Sequence, residues 1–367
     1  MIMNCQIFAD FPDHRVTGRC HYSISDLLTI SLLTYLCGGE DYVDMSEFAR
    51  LRAREFGLLG GNVTSPSPDT FERLMSAVDP AELDRCLREH GKAFLAELNE
   101  KQIAIDGKRL RGSAPKARGK NGDYIMSAYV TENHLTVGQE ALKGKENEAK
   151  AIPRLLESLD VGGATVSIDA AGTQVEIAEA ILGRDAHYFL AVKDNQPSLH
   201  EAVIDAFLYG KVSDTSAEME CDHGRIEERT CRIAGAENIE DGEVRGRWPG
   251  LRTIVEVTSR VTSGESVATS VRHYISDEDY PKAAYYAMLA RGHWGIENQL
   301  HWHLDVTFHE DACRARKGFA SQNLSTVRKL ALQILKAHND KKSIRKRIFS
   351  AALSQHYLFD VLLNAKI

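Results

Sequence analysis

Two short stretches of the 367-residue chain place an aspartate in the same setting. In Ile103-Ala104-Ile105-Asp106-Gly107 and Val166-Ser167-Ile168-Asp169-Ala170, β-branched residues alternate first with a small residue and then with an Asp. Successive side chains of a strand point to opposite faces, so each Asp shares a face with the small residue two positions earlier. That residue leaves room around a carboxylate at a predicted strand end, where open α/β sheets bind ligands. If the two strands are neighbours, the carboxylates converge, and one pKa must rise unless a cation neutralises the pair. Oxygen donors without thiolates point to Mg²⁺ or Mn²⁺. An Asp that ends a strand also commonly does no more than start a turn, and the pattern alone leaves both readings open.

A third group lies in the run from Arg291 to Asp305. At helical spacing His293, Glu297, His301 and Phe308 fall near one face, with Trp294 and Trp302 to the side. Such a cluster suits a metallohydrolase, but His-Glu-x-x-His is absent, which argues against a zinc protease. Core packing is the competing role for each Trp and His.

The elements that must position these residues divide by pattern. Residues 1–98 read as helical, with Ser25-Asp26 capping a helix through Leu27 and Leu36 that Gly38-Gly39 ends. Further helices are predicted at 43–58 and 69–98, separated by a Gly/Ser/Pro loop at 60–68. From Gln102 onward, strands are predicted at 103–106, 124–131, 135–140, 165–169 and 187–192, with helices at 148–159, 174–182 and 198–208. This alternation implies an α/β fold, with helices packed on a mixed sheet. Thr-, Val- and Arg-rich alternation over 218–275 reads as an antiparallel, β-rich insertion, and helix returns after Pro281.

Composition narrows the class. With 43% hydrophobic and 26% charged residues, a disordered or collagen-like chain is excluded, and the length suits about two domains. Seven scattered cysteines without a CxxC indicate neither a zinc knuckle nor a disulfide framework. The longest apolar run, 27–37, is too short to span a bilayer, and the N-terminus lacks signal-peptide features. A cytosolic protein without a membrane partner is expected. The net charge of −7 does not draw a polyanion, yet residues 312–347 hold eleven Lys or Arg against one acid, and residues 104–120 hold six against one. Such patches suit phosphate contact or a solvated face. Neither GxGxxG after a strand nor GxxxxGK[ST] occurs, which disfavours a nucleotide-dependent enzyme.

Several motifs recur in a recognisable order: Ala104-Ile105-Asp106-Gly107-Lys108, Ile168-Asp169-Ala170-Ala171-Gly172-Thr173-Gln174, Phe189 through Gln196, His223-Gly224-Arg225-Ile226-Glu227, and His293-Trp294-Gly295-Ile296-Glu297-Asn298. His301-Trp302, Leu304-Asp305-Val306 and Glu310-Asp311 close the block. The set closely resembles the H-repeat-associated (ISAs-type) insertion-sequence transposases, a branch of the DDE transposases. It begins near Phe11 to Arg15 and continues past Arg328, covering almost the whole chain. The resemblance implies an RNase H-like mixed sheet flanked by helices, with an N-terminal helical domain at 1–98. The catalytic domain would span 100–335, with its insertion at about 215–277, and a basic helical tail would occupy 336–367.

The resemblance further implies a catalytic and metal-binding triad of Asp106, Asp169 and Glu297, with Asp305, Glu310 and Asp311 as competitors for the last place. Two Mg²⁺ ions, or Mn²⁺, would serve cleavage at element ends and strand transfer into target DNA. The implied partners are double-stranded DNA, as terminal inverted repeats and as target, and a second copy in a homodimer on DNA. The wider group's Tyr-Arg-Glu-Lys signature is not kept: His293 stands where it has Arg, and Leu304 and Asp305 where it has Lys. Lys108, Arg109, Arg111, Lys193, Arg225, Arg316 and Lys317 are candidates for phosphate contact, with Arg314, Arg328 and Lys329 behind them. The rival readings are an inactive or domesticated DNA-binding descendant, and a metal-dependent nuclease without strand transfer.

Overall fold

The computed structural model describes residues 6–15, 20–60, 64–95, 101–115, 121–142, 146–222 and 225–365. Helix α1 (Ile24–Leu36) is buried on every side beyond its first turn, as its continuous apolar sequence requires. Its cap is Ser23, two residues before the expected Ser25, with Oγ accepting the Asp26 N–H at 2.9 Å. Helix α2 (Tyr42–Arg52) opens with a reciprocal capping box between Asp41 and Asp44. The single helix expected over 69–98 is two, α3 (Pro68–Ala77) and α4 (Pro80–Phe94). Pro80 cannot donate to the preceding turn and disfavours helical backbone at Asp79, whose side chain caps the new helix.

The sheet begins with β1 (Gln102–Arg109), β2 (Tyr124–Val130) and β3 (Leu135–Ala141), followed by helix α5 (Glu148–Glu157). Strand β4 (Thr165–Ile168), helix α6 (Val175–Leu182), strand β5 (His187–Val192) and helix α7 (Pro197–Tyr209) come next. The antiparallel segment comprises β6 (Asp214–Asp222), β7 (Arg225–Gly235), the short α8 (Gly242–Gly246), β8 (Thr253–Ser263) and β9 (Ser266–Ser276). One nine-stranded sheet results, in the order β3-β2-β1-β4-β5-β9-β8-β7-β6. Strands β1, β4 and β5 are parallel, and every other pairing is antiparallel. The predicted insertion is therefore an extension of the central sheet, joined to it through β9 against β5.

The two faces of β1 and β4 pack as their alternation predicts. Ile103, Ile105, Val166 and Ile168 enter the core beneath α5 and α6. Ala104 faces the opposite side, toward the helical core. That side is covered by α9 (Ala283–Gly295), which widens into π turns over Ile296–His301 and His303–Thr307. Helix α10 (Ala320–Ala337) then passes between the sheet and the N-terminal helices, buried along most of its length. Helices α11 (Ile344–Leu353) and α12 (Gln355–Asn364) return to pack in the same core as α1 and α2, where Phe359 meets Phe56 at 5.0 Å. No helix among the described residues is long and apolar enough to cross a membrane.

Candidate catalytic site

Register brings the two aspartates together. The last parallel rung between β1 and β4 joins Ile105 to Ile168, so Asp106 and Asp169 lie side by side, one step beyond it. Asp106 is not at a strand end as expected, because β1 continues to Arg109 alongside β2. Asp169 does leave its strand, and its Oδ1 accepts the N–H groups of Ala171 and Gly172 at 3.1 and 3.4 Å. It starts a turn and faces its neighbour at once, so the two readings of the sequence were not exclusive. Burial, with the negative charges of Asp169, Glu297 and Glu148 added, pushes the Asp106 carboxyl up to about 7, against a 2.8 Å hydrogen bond from the Gly107 N–H.

Glu297 stands in the first wide turn, where the Trp302 N–H reaches back five residues to the Glu297 carbonyl. Its carboxylate is exposed and carries no hydrogen bond or ion pair among the described residues. Of the two histidines one turn away on either side, His301 faces Asp106 and His293 meets Ser167, within range of the Asp169 charge. His293 Nδ1 lies 3.1 Å from Ser167 Oγ, and burial holds the ring down at about 4 despite the Asp169 charge. His301 Nδ1 lies 3.4 Å from Asp106 Oδ2, and burial holds it at about 3, a neutral imidazole at neutral pH. Its Nε2 is buried with no partner among the described residues.

Glu148, which the sequence did not single out, belongs to this acidic group. It opens α5 and accepts a hydrogen bond from the Tyr124 hydroxyl. Burial raises its pKa, with the charge of Asp169 adding to the effect. Tyr124 in turn lies against Gly107, where a Cβ would come within 2.6 Å of its hydroxyl. The only sequence signal was a lone acidic residue at a predicted helix start, which ordinarily serves the helix end.

The three competitors for the last carboxylate are engaged elsewhere. Lys108 Nζ lies 2.7 Å from Asp305, 3.0 Å from Glu310 and 3.2 Å from Asp311. Burial pushes the Glu310 carboxyl up, but the ammonium of Lys108, with Arg328 and Lys329, holds it below its ordinary value. Lys108 therefore has no open face toward a phosphate, unlike the expectation from its sequence position. Arg328 and Lys329 are also buried, Arg328 against the Tyr35 ring and Lys329 donating to Ser127 and Gln139. They too are enclosed and have no access to a nucleic acid.

The remaining basic candidates stay at the surface. The turn after β1 packs against residues 311–313, so closely that a Cβ on Gly112 would come within 2.8 Å of the Asp311 carbonyl. This sets Arg109 and Arg111 on the same rim as Arg314, Arg316 and Lys317. Arg111 pairs with Asp311 at 3.3 Å yet its side chain is 81% exposed. Lys193 is exposed at the end of β5, and Arg225 pairs with Glu227 at 3.3 Å. His223 and Gly224 of the same motif, and residues 116–120 of the first basic patch, lie outside the described residues.

No group of three or more His, Cys, Asp or Glu among the described residues is arranged to hold a metal ion. The donor chemistry nevertheless fits a hard dication. Asp106, Asp169 and Glu297 offer only oxygens, and the charges of Asp169, Glu297 and Glu148 add to burial in raising the Asp106 pKa, a contribution that a bound cation would offset.

Comparison with known proteins gives two family matches. A model described as "Transposase DDE domain" matches residues 98–334, and one described as "DDE_Tnp_1-associated" matches residues 5–90. The protein named "H repeat-associated putative transposase YhhI" of Escherichia coli (strain K12) is 33% identical over 365 residues, 96% of this chain and 95% of its own. "Putative transposase YncI" of Escherichia coli O157:H7 is 32% identical over 375 residues, 98% of this chain and 95% of its own.

Proposed function

Because the chain belongs to the DDE transposase family, we propose that it cuts DNA at the ends of an insertion sequence and joins the released 3′-hydroxyl to target DNA. The observation that carries this reading is the pair Asp106 and Asp169 on adjacent parallel strands, with Glu297 near enough for its charge to act on Asp106. Asp106, Asp169 and Glu297 would hold divalent ions, two Mg²⁺ or Mn²⁺. When bound, these would neutralise the charge that builds up on the phosphate and favour the ionised form of the attacking oxygen. The carboxylates fix where the phosphodiester must sit, and His301 limits how Asp106 can turn. Glu297, exposed and without a bond among the described residues, is able to swing toward the pair as a ligand.

Phosphate contact falls to the surface cations Arg109, Arg111, Lys193, Arg225, Arg316 and Lys317, leaving out the enclosed Lys108. Such contacts orient a duplex without reading its sequence. The joining of two element ends calls for two copies of the chain on DNA, so a homodimer is part of the proposal.

The test is cleavage of supercoiled DNA bearing the element's own ends, with Mg²⁺, comparing the wild type with Asp106→Asn, Asp169→Asn and Glu297→Gln. Cutting at the ends by the wild type alone, followed by joined products, is expected. Equal cutting by Glu297→Gln would remove that residue from the triad. Binding without cutting by the wild type would favour an inactive descendant, and cutting without joined products a plain nuclease.

A further inference from the structure

Lys336, in the last turn of α10, turns its ammonium inward onto the segment that bears Glu297. Nζ donates to the Gln299 backbone carbonyl at 2.7 Å. It also lies 3.4 Å from Gln299 Oε1 and from the Tyr129 hydroxyl, and 5.8 Å from the centre of the Tyr129 ring. No carboxylate among the described residues pairs with it. Among the described residues its titratable neighbours are His134 and His303, both shifted down by burial and by the lysine itself, with Glu132 beyond His134 opposing the shift there. Burial pushes Lys336 down to about 7. A partly buried ammonium without a counter-charge is costly, and a Met or Leu would fill the same space without that cost.

What the ammonium grips explains its presence. Gln299 sits in the π turn Ile296–His301, two residues after Glu297. Wide turns of this kind are rare and recur at functional sites, and their width sets where the residues they carry point. Tyr129 pairs with Ala104 across the sheet, two residues before Asp106. Lys336 thus joins the Glu297 turn to the strand pair that carries Asp106.

We infer that Lys336 is a positioning residue, whose ammonium holds the wide turn so that Glu297 is aimed at the two aspartates. The inference rests on Glu297 being the third member of the acidic triad.

The test titrates Mn²⁺ into the DNA-free full-length protein and follows the rise in melting temperature, for wild type, Lys336→Met, Lys336→Arg, Glu297→Gln and the double variant Lys336→Met/Glu297→Gln. Lys336→Met is expected to need roughly tenfold more Mn²⁺ for half the rise, the scale seen when residues behind a metal ligand are lost. Lys336→Arg should recover part of this. The double variant should bind no more weakly than Glu297→Gln, because both changes remove one ligand's contribution. A merely structural role would lower the starting melting temperature and leave the Mn²⁺ midpoint in place, which would overturn the inference. A wild-type midpoint in Glu297→Gln would overturn the triad reading and this inference with it. Should Lys336→Met not fold, Lys336→Gln, with a donor of shorter reach, carries the same comparison.

Discussion

Replacing Lys108 by Met separates two roles that the sequence could not tell apart. The Lys108 side chain is 10% exposed and that of Glu310 is 2% exposed, with 3.0 Å between their charged atoms. Loss of the ammonium leaves three carboxylates without their common partner. Asp305 and Asp311 keep some water, at 35% and 28% side-chain exposure, and Glu310 keeps Arg328 at 3.9 Å. Removing one partner of a buried pair costs about 3–5 kcal/mol, and the residual solvation places this case near about 3. For a chain of this length that corresponds to a melting temperature lower by roughly 3–5 °C. Urea unfolding at pH 7 measures the loss directly.

The pH dependence carries its own sign. Glu310 has a folded-state pKa below its unfolded value, so its contribution is present above the ordinary carboxylate range and lost as pH falls through the depressed value. The gap between wild type and Lys108→Met should therefore be widest near neutral pH and narrow in acid. A loss below about 1 kcal/mol together with weakened DNA binding would refute the enclosed-clamp reading and return Lys108 to phosphate contact.

Two further outcomes follow from close packing and burial. Gly107→Ala should destabilise by about 1–3 kcal/mol, because its methyl would overlap the Tyr124 ring and crowd Met126 Sδ at 2.7 Å; Gly107→Ala/Tyr124→Ala should cost less than the sum of the single changes in urea unfolding. His90 is held down from the ordinary 6.5 to about 4 by burial, with Nδ1 accepting from Gln333 and Nε2–H donating to the Ala365 carbonyl. A His with a depressed folded-state pKa loses stability as pH falls from 6.5 toward 4, by about 3 kcal/mol over that window, and His90→Gln should flatten this part of the stability profile.

Local alternation was enough to expose the two aspartate strands. The period-two pattern separated Ile103 and Ile105 from Ala104 and Asp106, and the structure buries the two sets on opposite faces. The central strands and α5 to α7 likewise lay where apolar runs placed them within one or two residues, except that β1 runs three residues past its expected end, to Arg109. What failed was whatever depends on a distant partner. The antiparallel segment was legible as strands, but its continuity with the central sheet rests on β9 reaching β5, some eighty residues earlier in the chain. Similarly, nothing within 336–367 announces that Ala351, Leu358 and Val361 complete the core of the N-terminal helices.

Charge was the least legible property, for a physical reason. A run of cations predicts a field only if the cations reach solvent, and periodicity of Lys and Arg does not report that. Within the basic stretch 312–347, Arg328, Lys329 and Arg347 are buried, and Lys336 turns inward. Those four act on carbonyls, rings and carboxylates of the protein itself, while Arg314, Arg316 and Lys317 stay exposed at the rim. Buried cations concentrate around the segment that carries Glu297: Lys108 holds the acids that follow it, and Lys336 holds the turn that contains it. An α-helix needs no such grip, because its own ladder fixes the direction in which every Cα–Cβ bond points. A pair of π turns gives up that regularity, so the direction of Glu297 has to be fixed from outside the helix. On this argument the departure from helical spacing and the cost of burying two lysines are parts of one arrangement, and changing either lysine should be felt at Glu297 before it is felt at Asp169.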